Sequence, residues 1–337
     1  MNRGHPLLQA LAAGCIACLA AACAPATAPP AAPLAEPSPA QAAYPAARYL
    51  TAEGTGRTAA DAKDAALSEL ARVFEARIES EAVDSVKAVY GEGKDQEDWL
   101  RQEIRTRLRV TSRVALEGVR TDTVWRSSKD GLYHAVAALD RDRAAAAWRA
   151  RLEEVDATIS GAISALAGRS RLARLLGLRR VRDLWMDRSV VASRLRVVGR
   201  PAPPPPYDIR AAIGEFSSLR ADLKLAVRAG GDAPKAVEAE TIQALTRAGL
   251  WVTPDEAAAD AVVICRVQVE DVPRSAPGWH YARAHGAAGV RDTADGRTAA
   301  TFSAQVREAH VEADEARKKA ARALAAKLAA SVAALFQ

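Results

Sequence analysis

Residues Arg48–Glu79, RYLTAEGTGRTAADAKDAALSELARVFEARIE, decide how the chain is read. The stretch predicts a short strand, a Gly-x-Gly turn at Gly54 and Gly56, and then a long alanine-rich helix. Thr58 is placed to cap that helix, and Asp61 puts a negative charge in its first turn. Ala62, Ala66, Leu70 and Phe74 recur at i, i+4, so one helix face starts small and ends bulky. Such a face lets a helix lie close against a β-sheet. A Gly-x-Gly between strand and helix can also cradle a phosphate. Here it lacks the third glycine of the dinucleotide fingerprint and the Gly-Lys-Ser/Thr of a P-loop. The better reading is a bend that lays Ala62, Ala66 and Leu70 against the sheet.

On its N-terminal side lies Ala24–Pro45, a Pro/Ala segment with one charge, Glu36. It has too little apolar bulk for a packed core and is expected to act as an extended tether over residues 23–47. Before it, residues 1–22 carry Arg3, an apolar run from Leu7 to Ala22 and no acid, the pattern of a secretory signal peptide. The run is short for a membrane-spanning helix, which needs about 20 residues. It ends in Leu19-Ala-Ala-Ala-Cys23. Small residues before a cysteine resemble the bacterial lipobox, in which the cysteine is diacylated and becomes the first mature residue. Cys23 is therefore the expected lipidation site. Its leucine sits four residues upstream rather than three, and Cys15, after Leu11-Ala-Ala-Gly, is the alternative. A soluble periplasmic protein with cysteines in its signal is the plainer alternative. If Cys23 is the anchor, only Cys265 remains, so neither an intramolecular disulfide nor a cysteine metal cluster is expected. Cys265 falls in a strand-like run, Ala261-VVICRV, where cysteine is commonly a small buried hydrophobe.

On the C-terminal side, residues 91–95 read as a turn and Gln96–Leu108 as a helical or mixed segment. Strands are expected at Leu116–Ser127 and Leu132–Leu139, joined through the hairpin signal Asp130-Gly131. A helix follows from Asp140, with Trp148, Leu152, Val155 and Ile159 on one face. Arg169–Val198 continues as helical pieces broken near Gly177. Its arginines read as a solvated surface, with attraction to anionic head groups as the functional alternative. Four consecutive prolines, Pro203–Pro206, make residues 199–207 a linker. Beyond it come a strand (Leu223-KLAV) after an unassigned lead-in, a helix from Pro234 to Gly249, and a strand at Ala261–Glu270. Tyr281–Arg291 and Arg297–Glu308 then pair across Asp295-Gly296, and a helix spans Glu312–Leu335. In that last helix Ala316, Ala320, Leu324 and Leu328 repeat the spacing of the first. The expected fold is α+β. Two helix-on-sheet domains, 48–198 (with a helical extension) and 208–337, fit the 337-residue length at roughly 150 residues per domain.

The formal charge is +6, and loss of Arg3 with the signal makes it +5. Basic residues cluster at Arg169–Arg182 and are not interleaved with aromatics, so no nucleic-acid partner is expected. Of the five histidines, His280 and His285 are five apart on a strand and point to opposite faces, with no third ligand offered. His134 reads as a hairpin residue. No nucleophile elbow, HExxH or Cys–His pairing occurs. No catalytic residue, cofactor or metal ligand is expected, and the chain reads as not an enzyme.

A resemblance is carried by Tyr49-Leu-Thr-Ala-Glu-Gly-Thr-Gly56, by Ala59-Ala-Asp-Ala-Lys-Asp-Ala-Ala-Leu67 and Leu70-Ala, and by Trp125 with Asp130-Gly-Leu-Tyr133-His-Ala-Val-Ala-Ala-Leu139-Asp-Arg141 and Ala145. Over about Arg48–Val155 the chain resembles the lipoprotein-20 family of bacterial outer-membrane lipoproteins, a group that includes flagellar outer-membrane assembly lipoproteins. The resemblance implies a lipid-anchored, non-enzymatic envelope protein with no catalytic residues to transfer. The expectation is a binding or assembly module held on the outer membrane through Cys23, facing the periplasm and meeting a protein partner. Regulation of a peptidoglycan-synthesising enzyme is the alternative. A periplasmic enzyme with a scattered site, such as Trp279–His285, is the rival of another class.

Overall fold

A computed structural model describes residues 43–90, 101–109, 118–273 and 278–336. The signal, Cys23 and nearly all of the tether lie outside them, as do the 91–95 turn and part of the first expected hairpin strand. The architecture is α+β, with one three-stranded and one five-stranded sheet.

In the first sheet β1 (Tyr49–Gly56), β2 (Val124–Arg126) and β3 (Tyr133–Asp140) run antiparallel in the order β1-β3-β2. The Asp130-Gly131 hairpin forms. Gly131 takes φ +72°, and the Asp130 carboxylate accepts from Leu132 N at 2.9 Å. In the described part of the strand expected over Leu116–Ser127, Val124–Arg126 is regular, preceded by a bridge from Arg120 to Ala138.

Helix α1 (Ala59–Tyr90) covers this sheet with Ala62, Ala66, Leu70, Phe74 and Ile78 buried. Its start is a reciprocal cap: Asp61 N donates to Thr58 Oγ1 at 3.1 Å, and Thr58 N donates to the Asp61 carboxylate at 3.2 Å. Gly54 and Gly56 correct the expected turn, because both lie inside β1 and the chain reverses after them. A Cβ on Gly54 would stand 2.0 Å from Ala66 N, and one on Gly56 2.5 Å from Ala62 N. The glycines and alanines are thus two halves of one contact, in which backbone meets backbone.

Helices α2 (Arg141–Ser164) and α3 (Arg171–Val197) form a hairpin whose ends feed different cores. Ala145, Trp148 and Leu152 of α2 join Met186, Val190 and Leu195 of α3 in the first core. Val155 and Ile159 join Leu172, Leu175 and Val181 in the second. Asp140 caps α2 by accepting from Asp142 N and Arg143 N. No break occurs at Gly177. The helix is continuous there, and a Cβ would meet Leu166 Cδ2 at 2.2 Å, so the glycine admits a neighbour's side chain. The Pro-rich segment is held against this hairpin by a buried cluster. Arg188 Nε and Nη2 donate to Asp156 at 2.6 and 3.1 Å, and Nη2 also donates to Pro203 O at 2.8 Å. Tyr207 OH donates to Asp156 at 2.7 Å.

The unassigned lead-in of the second half is helix α4 (Ile209–Asp222), capped by Asp208, with Ile209, Ala212, Ile213 and Phe216 buried. Then come β4 (Lys224–Gly231), α5 (Pro234–Arg247) and β5 (Trp251–Val252), followed by β6 (Ala261–Val272), β7 (His280–Asp292), β8 (Thr298–His310) and α6 (Ala313–Ala334). The sheet order is β5-β4-β6-β7-β8. β4 is parallel to β5 and β6, and β6-β7-β8 is an antiparallel meander. Ala316, Ala320, Leu324 and Leu328 of α6 are buried on it, as their spacing requires. The echo with α1 stops at spacing. α1 follows its first strand and precedes the hairpin, whereas α6 follows the meander.

Candidate functional site

Period-2 alternation divides β6, β7 and β8 into two faces. Val263, Cys265 and Val267 of β6 share one face with Ala284, Ala288 and Val290 of β7, and all are buried against α5 and α6. Cys265 is among them, as expected of a small core residue. It lies 3.8 Å from Thr241 Oγ1, and burial pushes its thiol pKa up. The opposite face carries Arg266, Gln268 and Glu270 of β6. It also carries Arg283, His285 and Ala287 of β7 and Ser303, Gln305 and Arg307 of β8. Among the described residues no helix covers these side chains.

A groove lies on this outer face where glycines, alanines and a serine flank β6 in the cross-strand rows. Gly230, Arg266, Ala287 and Ser303 form one cross-strand row, and Gly231, Val267, Gly286 and Ala304 form the next. A Cβ on Gly231 would lie 2.0 Å from Val267 O, and one on Gly286 2.1 Å from Arg266 O. Gly231 also has φ +87°. Only glycine permits so close an approach on both sides of β6. Asp232 completes the ladder beyond β4: its N–H donates to Val267 O at 2.8 Å, and its carboxylate accepts from Val269 N at 2.7 Å. The result is a groove of about 770 Å³ walled by Arg266, Gln268, His285 and Gln305, with Ser303 beside them.

Electrostatically the groove is one-signed, because among the described residues no carboxylate lines it. Arg266 and Arg283 make no ion pair among the described residues. The His285 ring is held by Gln268 across the β6–β7 pair, Nε2 to Oε1 at 2.9 Å. With the amide oxygen facing the ring, Nε2–H donates to Gln268 Oε1, which leaves the Gln268 NH2 group for other acceptors. Arg307 stacks over the Tyr281 ring, 4.6 Å from its centroid, at the end of the same face. The groove offers guanidinium, amide, imidazole and hydroxyl groups for recognition.

The remaining sequence candidates are scattered. His280 pairs across β7–β8 with His310, on the face opposite His285, so the two histidines diverge as expected. Among the described residues no group of three His, Cys, Asp or Glu could hold a metal. His134 stacks on Trp125 at 5.3 Å and bonds Asp130 at 3.0 Å, which makes it a hairpin residue. Backbone donation from Leu132, then His134, holds the Asp130 carboxyl below its usual range. Cys23 lies outside the described residues. Sequence reading passed over Arg266, Gln268 and Gln305. Their signal was the polar alternation of β6 and β8, which becomes a site only once register aligns the strands.

No family model matches the chain, and no curated protein matches its sequence. Among solved structures it is similar to a secreted protein of the human pathogen Helicobacter pylori, at 15% identity and TM-score 0.36, over 75% of this chain and 86% of that one. A minor lipoprotein from Acinetobacter baumannii matches at 13% identity and TM-score 0.25, over 34% and 89%. A lipoprotein from Neisseria meningitidis matches at 16% and 0.22, over 33% and 94%. No described helix is long and apolar enough to cross a membrane.

Proposed function

We propose that the chain is a non-enzymatic lipoprotein, anchored through Cys23 to the outer membrane and facing the periplasm, and that it serves as a binding or assembly module of the cell envelope. The observation that carries this reading is an open sheet face with a polar groove, set on a folded body that follows a signal-like segment, a cysteine and a Pro/Ala tether. The resemblance of Arg48–Val155 to lipoprotein-20 proteins supports the address and adds flagellar outer-membrane assembly as a setting. Its protein partner is to be sought by crosslinking in cells and co-purification. That experiment also separates an assembly role from regulation of a peptidoglycan-synthesising enzyme.

Anchoring is tested by mass and fractionation. The mature protein should carry a diacylglyceryl group on Cys23, and globomycin should leave its signal attached. Cys23→Ala should leave the outer-membrane fraction. A Cys23→Ala protein that still sediments with the outer membrane would sink the anchoring claim.

A further inference from the structure

We infer that the outer-face groove of the five-stranded sheet is a binding site for an acidic saccharide, with Arg266 taking its carboxylate and Gln268, His285, Ser303 and Gln305 reading its hydroxyls. The inference rests on the envelope reading only for where the ligand is met; the chemistry comes from the groove itself.

Charge sets the sign of the ligand. Arg266 is exposed, lacks an acidic partner among the described residues and lies in a groove lined by no carboxylate. Arg283, opposite Glu270 in register on the same face, makes no ion pair among the described residues. A guanidinium is a planar fork of donors that meets a carboxylate with two parallel bonds. By contrast, Arg228 on β4 is neutralised by Glu256, and Arg317 beyond the groove by Asp271. Among the described residues, Arg266 is the charged side chain that lines the groove and has no such partner.

Shape sets the class. The groove crosses β4, β6, β7 and β8, three inter-strand spacings or about 14 Å. It runs across the strands over the sheet face, whereas an extended peptide would pair along the edge strand β8. Its floor is Gly230, Gly286, Ala287 and Ala304, whose small or absent side chains offer a peptide no large apolar anchor. Its walls are two amides, a hydroxyl and an imidazole beside the guanidinium. That set suits a chain dense in hydroxyls with a carboxylate on its ring. The bond between His285 and Gln268 pre-orients two of these groups, which lowers the ordering cost of binding.

The test is calorimetric titration of the mature full-length chain, purified without its lipid. Trigalacturonate should bind saturably at one site and weaken as salt rises. Maltotriose, inorganic phosphate and tetraglutamate should each bind at least tenfold more weakly. Arg266→Gln should cost at least tenfold, and Arg291→Gln, on the same face but outside the groove, should change nothing. Should Arg266→Gln fail to fold, Ser303→Glu places a negative charge in the groove and should abolish binding. The inference is overturned by absent saturation, by unchanged binding in Arg266→Gln or Ser303→Glu, or by a loss in Arg291→Gln equal to that in Arg266→Gln. It is overturned equally if tetraglutamate, phosphate or maltotriose binds as tightly as trigalacturonate. Failure here leaves the Cys23 fractionation result standing, and failure there leaves this titration standing.

Discussion

Replacing Asp156 by alanine should remove a large share of the protein's stability. Asp156 and Arg188 are the most deeply buried ion pair described, with side chains 12% and 4% exposed. The carboxylate takes three bonds, two from Arg188 and one from Tyr207. Without it Arg188 keeps, among the described residues, Pro203 O and the Trp185 ring, 5.3 Å from its guanidinium carbon. Removing one partner of a buried pair leaves an uncompensated charge and costs about 3–5 kcal/mol. That is about a fifth or more of the roughly 5–15 kcal/mol that holds a typical domain folded. Urea unfolding, followed by far-UV circular dichroism and tryptophan fluorescence, should show the loss as a lower midpoint at unchanged slope. The double variant Asp156→Ala/Arg188→Met should recover at least about 2 kcal/mol of it, because it removes the orphaned charge as well. A single-variant loss below about 1 kcal/mol, or a double variant as unstable as the single, would refute the assignment of a buried charged pair. Asp156→Asn, which keeps an acceptor but not the charge, should fall between wild type and alanine.

Two glycines with similar-looking clashes should behave oppositely. Gly54→Ala drives a Cβ into the backbone of α1, 2.0 Å from Ala66 N, and should cost about 3 kcal/mol or more in the same unfolding assay. Gly177→Ala meets only the movable end of Leu166 and gains about 1 kcal/mol of helix propensity, so its stability should stay near that of wild type. Asp140 supplies a pH test. Donation by Arg143 N, then the Arg48 guanidinium, holds its carboxyl below the usual range. The folded state therefore releases this proton more readily than the unfolded one. Its contribution is complete above the unfolded pKa of about 3.9 and is lost as pH falls through the lower folded value. The stability gap between wild type and Asp140→Ala should be flat near neutrality, about 0.5–2 kcal/mol for a lost N-cap, and should close in acid. A gap that widens below pH 4 would contradict the assignment.

Where periodicity alone sets an element, the chain could be read directly. The i, i+4 faces of α1 and α6, the cap at Thr58, and the Asp130-Gly131 and Asp295-Gly296 hairpins are all local signals, and the structure uses them all. Errors arose where a residue's role depends on a distant neighbour. Gly54 and Gly56 read as a turn because glycine is a turn residue. Their function is to clear space for Ala62 and Ala66, which no local pattern displays. Gly177 read as a break, but Leu166 fills the space beside it. α4 was unassigned because Gly214 and Ser217-Ser218 dilute its apolar spacing; burial of Ile209, Ile213 and Phe216 overrides that weak propensity.

The groove was the least legible feature, and the reason is geometric. Arg266, His285, Ser303 and Gln305 are spread over 40 positions of the chain and converge only through the register of three strands. Each alone looks like an ordinary solvent-facing residue of an amphipathic strand. What turns the alternation into a site is the pairing across β4, β6, β7 and β8, with Gly231 and Gly286 close against the β6 backbone and Asp232 extending the ladder beyond β4. The inner face must stay apolar to pack α5 and α6, so register cannot slip by one residue without exposing that core. The packing that stabilises the inner face therefore also fixes which polar side chains meet on the outer one.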